Sequence, residues 1–474
     1  MSPEIVTIIA LVVIFAIATV LPINMGALAF VAAFVVGTLS VGLSTDEILG
    51  GFPAELVLTL IGVTYLFAIA QNNGTVDLLV RGAVRLVGGH VAAIPWIMFF
   101  VTGLLTAIGA LSPAAVAIIA PIALGFAARH GINPLLMGMM VIHGAQGGGF
   151  SPLSVYGVTV NEIVEKEGLP DSSLAVFLGS LFFNLAIALV LFFLFGGRKL
   201  LGRKVSATED LREEAHAGQR VGVAGATATG GGTATSSTGS AGTGDDGTGP
   251  EVKGHGAAPG PAVGGDVEPH PDAPQKVTFE QILTLIGLVV LAVLALVFDL
   301  DIGFVAISVA VVLALFSAAK HKGAVSQISW STVLLIAGVL TFVFVLQEAG
   351  TIDYVGEAVT SLGVPLIIAL LLCYIGGIVS AFASSTAIIS VAILLAVPFL
   401  LAGEIPAVGV IVALSVASTI VDVSPFSTNG ALVLAAAQDV DRDRFYKQIL
   451  GYATIVVVVG PLLAWLVFVA PGWL

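Results

Sequence analysis

Apolar runs of about 17 to 25 residues recur along the whole chain, each long enough to cross a hydrocarbon core as a helix, and none alternates like a barrel strand. The pattern predicts an all-α polytopic membrane protein with full crossings at 5–21, 25–43, 54–72, 134–157 and 174–196, then 279–298, 302–319, 329–347, 405–429 and 449–469. Two further apolar stretches, 92–128 and 364–402, are each split by a short polar tip and read as re-entrant hairpins. The first run, IVTIIALVVIFAIATVL, lacks a basic n-region and a small-residue cleavage site, so it is expected to be retained as a span.

The runs fall into two halves, 1–204 and 277–474, joined by residues 205–276. That joining tract, with TATGGGTATSSTGSAGTGDDGTG at its centre, is too poor in apolar groups to offset its own ordering entropy. It reads as a disordered cytoplasmic tether, with a regulatory docking segment as the other reading. The halves repeat each other. IVTIIALVVIFAIATV aligns with ILTLIGLVVLAVLALV at an offset of 277, pairing Gly26 with Gly303. AQNNGTVDLLV aligns with LQEAGTIDYVG at 276, and GFSPLSVYG with DVSPFSTNG at 273. The first hairpin tip, GALSPAA, faces FASSTAI at the same offset of 273. Matches in one order across a whole half mark an internal repeat.

Each half breaks its own hydrophobicity twice. The hairpin tips carry Ser112 and Pro113 in one half and Ser384, Ser385 and Thr386 in the other. The later breaks carry Gly148, Gly149, Ser151, Pro152 and Ser154, and then Asp422, Ser424, Pro425, Ser427, Thr428 and Asn429. A helix opened inside a bilayer leaves backbone groups that protein, water or ligand must satisfy. Proline, which cannot donate the ladder bond, and glycine, which permits the turn, are what such a break needs. Half-helix N-termini then face anions, and freed carbonyls and hydroxyls hold small hard cations. The plainer reading is that Pro and Gly kink the helices while Ser and Thr bond back to their own turn; the two-fold recurrence of the breaks argues for a binding site.

Charge sets the orientation. Of 474 residues 57% are hydrophobic and 10% charged, with mean hydropathy +1.08 and net charge −13, so basic nucleic-acid surfaces are excluded. With the N-terminus outside, Arg81, Arg85, Arg129, Arg198, Lys199, Arg203, Lys204, Lys320, Lys322, Arg442, Arg444 and Lys447 all fall inside, and Lys166 alone lies outside. An odd number of crossings per half makes the repeats inverted, the organisation of secondary transporters. The single cysteine, Cys373, excludes a disulfide framework and a thiolate cluster.

No Lys or Arg lies in a predicted span, so an anion there must be balanced by N–H groups, hydroxyls, Asn429 and co-bound cations. Asp422 stands opposite Gly149 in the repeat and is either a cation or proton ligand or a helix cap. His143 is either a packed core residue or a proton relay. Gln71 and Gln347 close their spans as helix caps.

The strings INMGALAF, LQEAGTIDYV, PAAVAIIAPIAL, MVIHGAQGGGFSPLSVYG, SAFASSTA and TIVDVSPFSTNGALV resemble the malonate/dicarboxylate carriers of the MatC type, within the ion transporter superfamily that includes the divalent anion/sodium symporters. The resemblance covers both halves and fails in the linker. It implies a scaffold formed by 5–72 and 279–347, often dimeric, and an elevator-type transport domain holding 92–157 and 364–429, with helices 174–196 and 449–469 completing the halves. It further implies two cation sites. Ser112, Gly148, Gly149 and Ser151 would belong to one, and Ser385, Thr386, Asp422, Ser424 and Ser427 to the other. The substrate would lie between the tips, against Ser112, Pro113, Ser384, Ser385 and Thr386 and the loops Ser151, Pro152, Ser154 and Ser424 to Asn429. The related symporters carry Ser-Asn-Thr at both tips; here the second reads Ser-Ser-Thr and the first keeps only the serine.

The expected function is cation-coupled symport, with Na+ or H+, of a small dicarboxylate across the plasma membrane. No cofactor is expected beyond a coupling Na+, and no transition metal; the expected partners are the dicarboxylate, membrane lipid and a second copy of the chain. A cation/proton antiporter would use the same geometry but would want more than one buried acid. An enzyme or sensor would need a catalytic constellation or an output domain, and the sequence carries neither.

Overall fold

The computed structural model describes residues 2–203 and 277–472 apart from 22, 86–89, 299, 318–322, 353, 355–364, 382–384, 402, 404 and 438–439. The predicted linker, Lys204, Lys320, Lys322 and Ser384 lie outside the described residues, as does the side chain of Thr386.

The first half begins with α1 (Pro3–Val20) and α2 (Met25–Val36), the latter capped by Asn24, whose side chain accepts the N–H groups of Gly26 and Ala27. A wide turn, Gly37–Val41, ends at Gly42 with φ 85°, and Ser44 and Glu47 then form a capping box on α3 (Thr45–Gly50). Next come α4 (Ala54–Asn72) and α5 (Thr75–Arg85). In α5, Val76 and Val80 are buried while Asp77 and Arg81 are exposed, the amphipathic pattern of a surface arm. The hairpin is α6 (Ile94–Ala107) and α7 (Ser112–His130). The predicted crossing 134–157 is two helices, α8 (Pro134–Gly148) and α9 (Val155–Lys166), followed by α10 (Ser173–Leu194).

The second half follows the same order: α11 (Phe279–Leu296), α12 (Ile302–Phe316), α13 (Trp330–Glu348), then α14 (Pro365–Ser380) and α15 (Ser385–Leu401). The predicted crossing 405–429 is α16 (Ala407–Ile420) and α17 (Thr428–Ala436). The last helix, α18 (Arg442–Phe468), starts seven residues before the expected 449 because Asp441 accepts the Arg444 N–H and prolongs the helix through its basic first turns. Six helices, α4, α7, α10, α11, α13 and α18, are long and apolar enough to cross a membrane by length and composition. With the shorter apolar helices they make a multi-pass membrane protein. Valines of α1 and α11, among them Val12, Val13, Val289 and Val293, are exposed.

The halves interlock. The second helix of each half packs on a long helix of the other, α2 on α13 and α12 on α4. Glycine makes these crossings close: a Cβ on Gly26 would lie 2.0 Å from the Leu334 carbonyl, and one on Gly338 2.0 Å from that of Gly26. At the other crossing, a Cβ on Gly303 would lie 2.8 Å from the Thr59 nitrogen, and one on Gly62 2.7 Å from the Gly303 carbonyl. Gly26 and Gly303 are repeat partners at offset 277, and Gly62 and Gly338 at 276, so the two crossings use matching positions. The first helices of the halves are also tied across: Thr7 Oγ1 of α1 lies 2.6 Å from Thr351 Oγ1, and Thr284 of α11 accepts from Asn73 Nδ2 at 2.6 Å. Asn73, and not Gln71, therefore organises the end of α4; Gln71 is exposed, while the Gln347 amide donates to Glu167 at 2.9 Å.

The hairpins press on the broken helices in the same way. A Cβ on Gly144 of α8 would lie 2.2 Å from the Phe99 carbonyl, and one on Gly148 1.9 Å from that of Gly103. In the second half, Gly376 of α14, the partner of Gly103, would meet Ser418 Oγ of α16 at 2.7 Å.

Candidate binding site at the two broken helices

Both breaks have one hydrogen-bond plan. The chain leaves α8 through Gly149 N–H to Gln146 O (3.1 Å) and Ser151 N–H to Gly148 O (3.1 Å), and leaves α16 through Asp422 N–H to Thr419 O (3.0 Å) and Ser424 N–H to Val421 O (3.1 Å). Ser151 Oγ then accepts from Leu153 N–H at 3.3 Å and Ser424 Oγ from Phe426 N–H at 3.2 Å. Ser154 and Ser427 cap the restarting helices by accepting from Gly157 N–H (3.2 Å) and Gly430 N–H (3.4 Å), and each donates to the carbonyl three residues back at 2.7 Å. Gly157 and Gly430 are required here, since a Cβ on either would sit 2.0 Å from the carbonyl of Ser151 or Ser424. The hydroxyls of Ser154 and Ser427 thus close the loops. Ser151 and Ser424 stabilise the turns through their oxygens.

The loops differ where the charge lies. Asn429 Nδ2 donates to Asp422 Oδ2 and to Ser112 Oγ, both at 2.8 Å. The Ser427 hydroxyl and the Asn429 main-chain N–H also approach the Asp422 carboxylate. Asn429 Oδ1 is buried and has no hydrogen-bond partner. Ser112 reaches this cluster because it opens α7, and α7 packs on α17: the hairpin of one half meets the restarted helix of the other. The reciprocal pair, α15 on α9, also packs together. Carboxylate, amide carbonyl and hydroxyl oxygens around one point suit a small hard cation or a proton.

The other predicted residues are distributed around this cluster. Pro113 occupies the first turn of α7, where its missing N–H costs nothing. Ser385 opens α15, is buried, and accepts from the Ser380 hydroxyl at 2.9 Å. Pro425 is buried within its loop, whereas Thr428 is exposed at the start of α17. Loop packing is unequal in the two halves. Leu153 is 7% exposed, in a core cluster with Val63, Leu66 and Ile69 of α4, but its repeat counterpart Phe426 is 57% exposed.

A second polar chain, missed by sequence reasoning, underlies the first break. Asn184 Nδ2 donates to Ser180 O at 2.9 Å, so its Oδ1 is the acceptor that faces His143 Nδ1 at 2.9 Å. His143 Nδ1 therefore carries the hydrogen, and Nε2 accepts from Tyr452 OH at 2.6 Å. His143 is thus held from both sides, between Asn184 and Tyr452. The available signals were the lone Asn184 in SLFFNLAIALV and the Gln146 amide in HGAQGGG. Among the described residues no group of three or more His, Cys, Asp or Glu could hold a metal ion.

Residues 1–149 match the family described as dicarboxylate carrier protein MatC N-terminus, a span that runs from α1 to the edge of the first break. No curated protein matches the chain. Among solved structures, the Alcanivorax borkumensis YdaH transporter, described as having an unusual topology, has the same fold, with a TM-score of 0.55 at 15% identity over 98% of each chain. The chain is thus similar to a dicarboxylate carrier family over residues 1–149 and shares its fold, over nearly its whole length, with a solved transporter.

Proposed function

We propose that this protein is a secondary active transporter that moves a small dicarboxylate, malonate or a four-carbon acid, in symport with Na+ or H+ across the plasma membrane. The observation that carries the reading is the cluster of Asp422, Asn429 and Ser112, joined by two 2.8 Å hydrogen bonds and containing a buried amide oxygen without a donor. Every described Lys and Arg side chain is exposed. A dianion at the breaks would therefore be held by the N-terminal dipoles of α7, α9, α15 and α17, by hydroxyls, and by a cation bound beside it. That requirement is the physical basis of coupling: the anion binds well only when the cation is present. Asp422 already supplies a carboxylate at the N-terminus of α17, so we assign the cation to that half and the anion to the space between the tips, against Ser112, Ser385 and Ser151.

In this reading α1–α4 and α11–α13 form a scaffold, through which two copies associate, and the hairpins, broken helices, α10 and α18 move against it as an elevator. The matched glycine crossings support an inverted repeat, whose two halves exchange roles between states. The distribution of basic residues supports an orientation with both termini outside and the linker in the cytoplasm. Melting of the purified protein with malonate or succinate, with Na+ and pH varied separately, tests the reading. Ligand stabilisation that grows with Na+ or with protons is expected; no shift with either acid in any cation condition overturns it.

A further inference from the structure

Gln146 and Thr419 stand at the repeat offset of 273, and each supplies a carbonyl near its helix end that accepts the N–H three residues on, where the chain turns into the break. They are also bonded to each other: Gln146 Nε2 donates to Thr419 O at 2.8 Å. Gln146 is 1% exposed. Its own carbonyl accepts from Ser180 Oγ at 3.1 Å as well as from Gly149 N–H at 3.1 Å, and Ser180 leads to Asn184, His143 and Tyr452. Thr419 O accepts from Asp422 N–H at 3.0 Å as well as from Gln146. One side chain thus connects the α8 break, anchored on α10 and α18, to the carbonyl that places Asp422.

We propose that Gln146 is a positioning residue that fixes the Asp422 loop relative to the first loop and sets the affinity of the cation site, an inference that rests on the transport reading. The chemistry is specific. The Thr419 carbonyl accepts the N–H groups of Val421 and Asp422 from its own chain, and the Gln146 amide reaches it from the other half. With these donors on it, that carbonyl is withdrawn from a cation's shell, and the oxygens of Asp422, Asn429 and Ser112 are the cluster left to a cation. Loss of the amide would remove the tie between the two loops and leave the Asp422 turn held by its own chain alone.

Two readouts test this in a Cys373→Ser background. The first is labelled malonate uptake by proteoliposomes, titrated with Na+ at fixed pH and with protons in the absence of Na+. The second, independent of any substrate, is the rate at which a maleimide labels Thr428→Cys, beside the loop, across the same Na+ and pH series. Gln146→Met, of similar length but without the amide, is expected to raise the half-saturating cation concentration roughly tenfold, the size of one hydrogen bond, and to shift the cation dependence of labelling in parallel. Melting should stay close to the parent. If the parent takes up no dicarboxylate but the labelling still shifts, the substrate assignment fails and the role of Gln146 stands. A folded variant with unchanged cation dependence in both readouts overturns the role. If Gln146→Met does not fold, Gln146→Asn, whose amide is one methylene too short to reach, takes its place; if neither folds, Gln146 is structural and the proposal fails.

Discussion

Asn429 and Asp422 are seven residues apart and on opposite sides of a helix break, yet the Asn429 amide donates to the Asp422 carboxylate at 2.8 Å while its other hydrogen reaches Ser112 at 2.8 Å. One side chain therefore reports to the second hairpin's broken helix and to the first hairpin's tip. Asn429→Leu removes the side-chain amide donor from two buried groups, Asp422 and Ser112, a loss of about 1–3 kcal/mol, and should abolish uptake and lower the melting temperature. Asp422→Asn removes the charge and should flatten the cation dependence of uptake. Unchanged transport and unchanged cation dependence in that variant would return Asp422 to a helix-capping role.

Close packing of hairpin on broken helix makes a steric prediction. A methyl on Gly148 would lie 1.9 Å from the Gly103 carbonyl and 2.4 Å from Thr106 Oγ1. Gly148→Ala should cost about 1–3 kcal/mol or more by overpacking and impair transport. Gly82→Ala is the control: nothing lies within 4 Å of its added methyl, and a mid-helix alanine should stabilise by about 0.5–1 kcal/mol. Thermal unfolding of the two purified variants checks both directions.

The unequal packing of the loops predicts unequal access. In a Cys373→Ser background, Thr428→Cys should react with a membrane-impermeant maleimide added from the side that carries Arg129 and Arg442. Leu153→Cys, 7% exposed at the parent side chain, should react slowly from either side. Equal labelling of the two sites would contradict the arrangement.

On the opposite side, Glu162 follows the first break on α9, beyond the predicted span. Its half-buried carboxyl is pushed above the ordinary glutamate value of 4.5, first by burial and in part by Glu55 and Asp301, although Lys166 at 3.3 Å pulls the other way. A folded-state value above the unfolded one means the folded chain binds the proton more tightly. The resulting stabilisation is complete below 4.5 and is lost as pH rises through the raised folded value. Glu162→Gln should therefore flatten the fall in melting temperature across that window, as measured by a pH series on both proteins.

The helices and their breaks were legible because both are local: apolar run length, proline, glycine and hydroxyl clusters announce them, and the repeat offset matches Ser151 with Ser424 and Ser154 with Ser427. The capping role of Ser154 and Ser427 was not legible, since a hydroxyl in such a loop serves a helix N-terminus or a ligand equally well by sequence. Nor was the meeting of Ser112 with Asn429, which depends on α7 of one half packing on α17 of the other. Gln146, Asn184 and Tyr452 were missed for the same reason: single polar residues in apolar runs acquire meaning only when long-range packing supplies their partners.

Uptake of labelled malonate and succinate into proteoliposomes, with an inward Na+ gradient and an inward proton gradient imposed separately, tests the central claim most directly. Accumulation of at least one acid above its equilibrium level under one of the gradients, lost in Asp422→Asn, is the result the coupled dicarboxylate reading predicts. Failure to accumulate either acid under any gradient would contradict it.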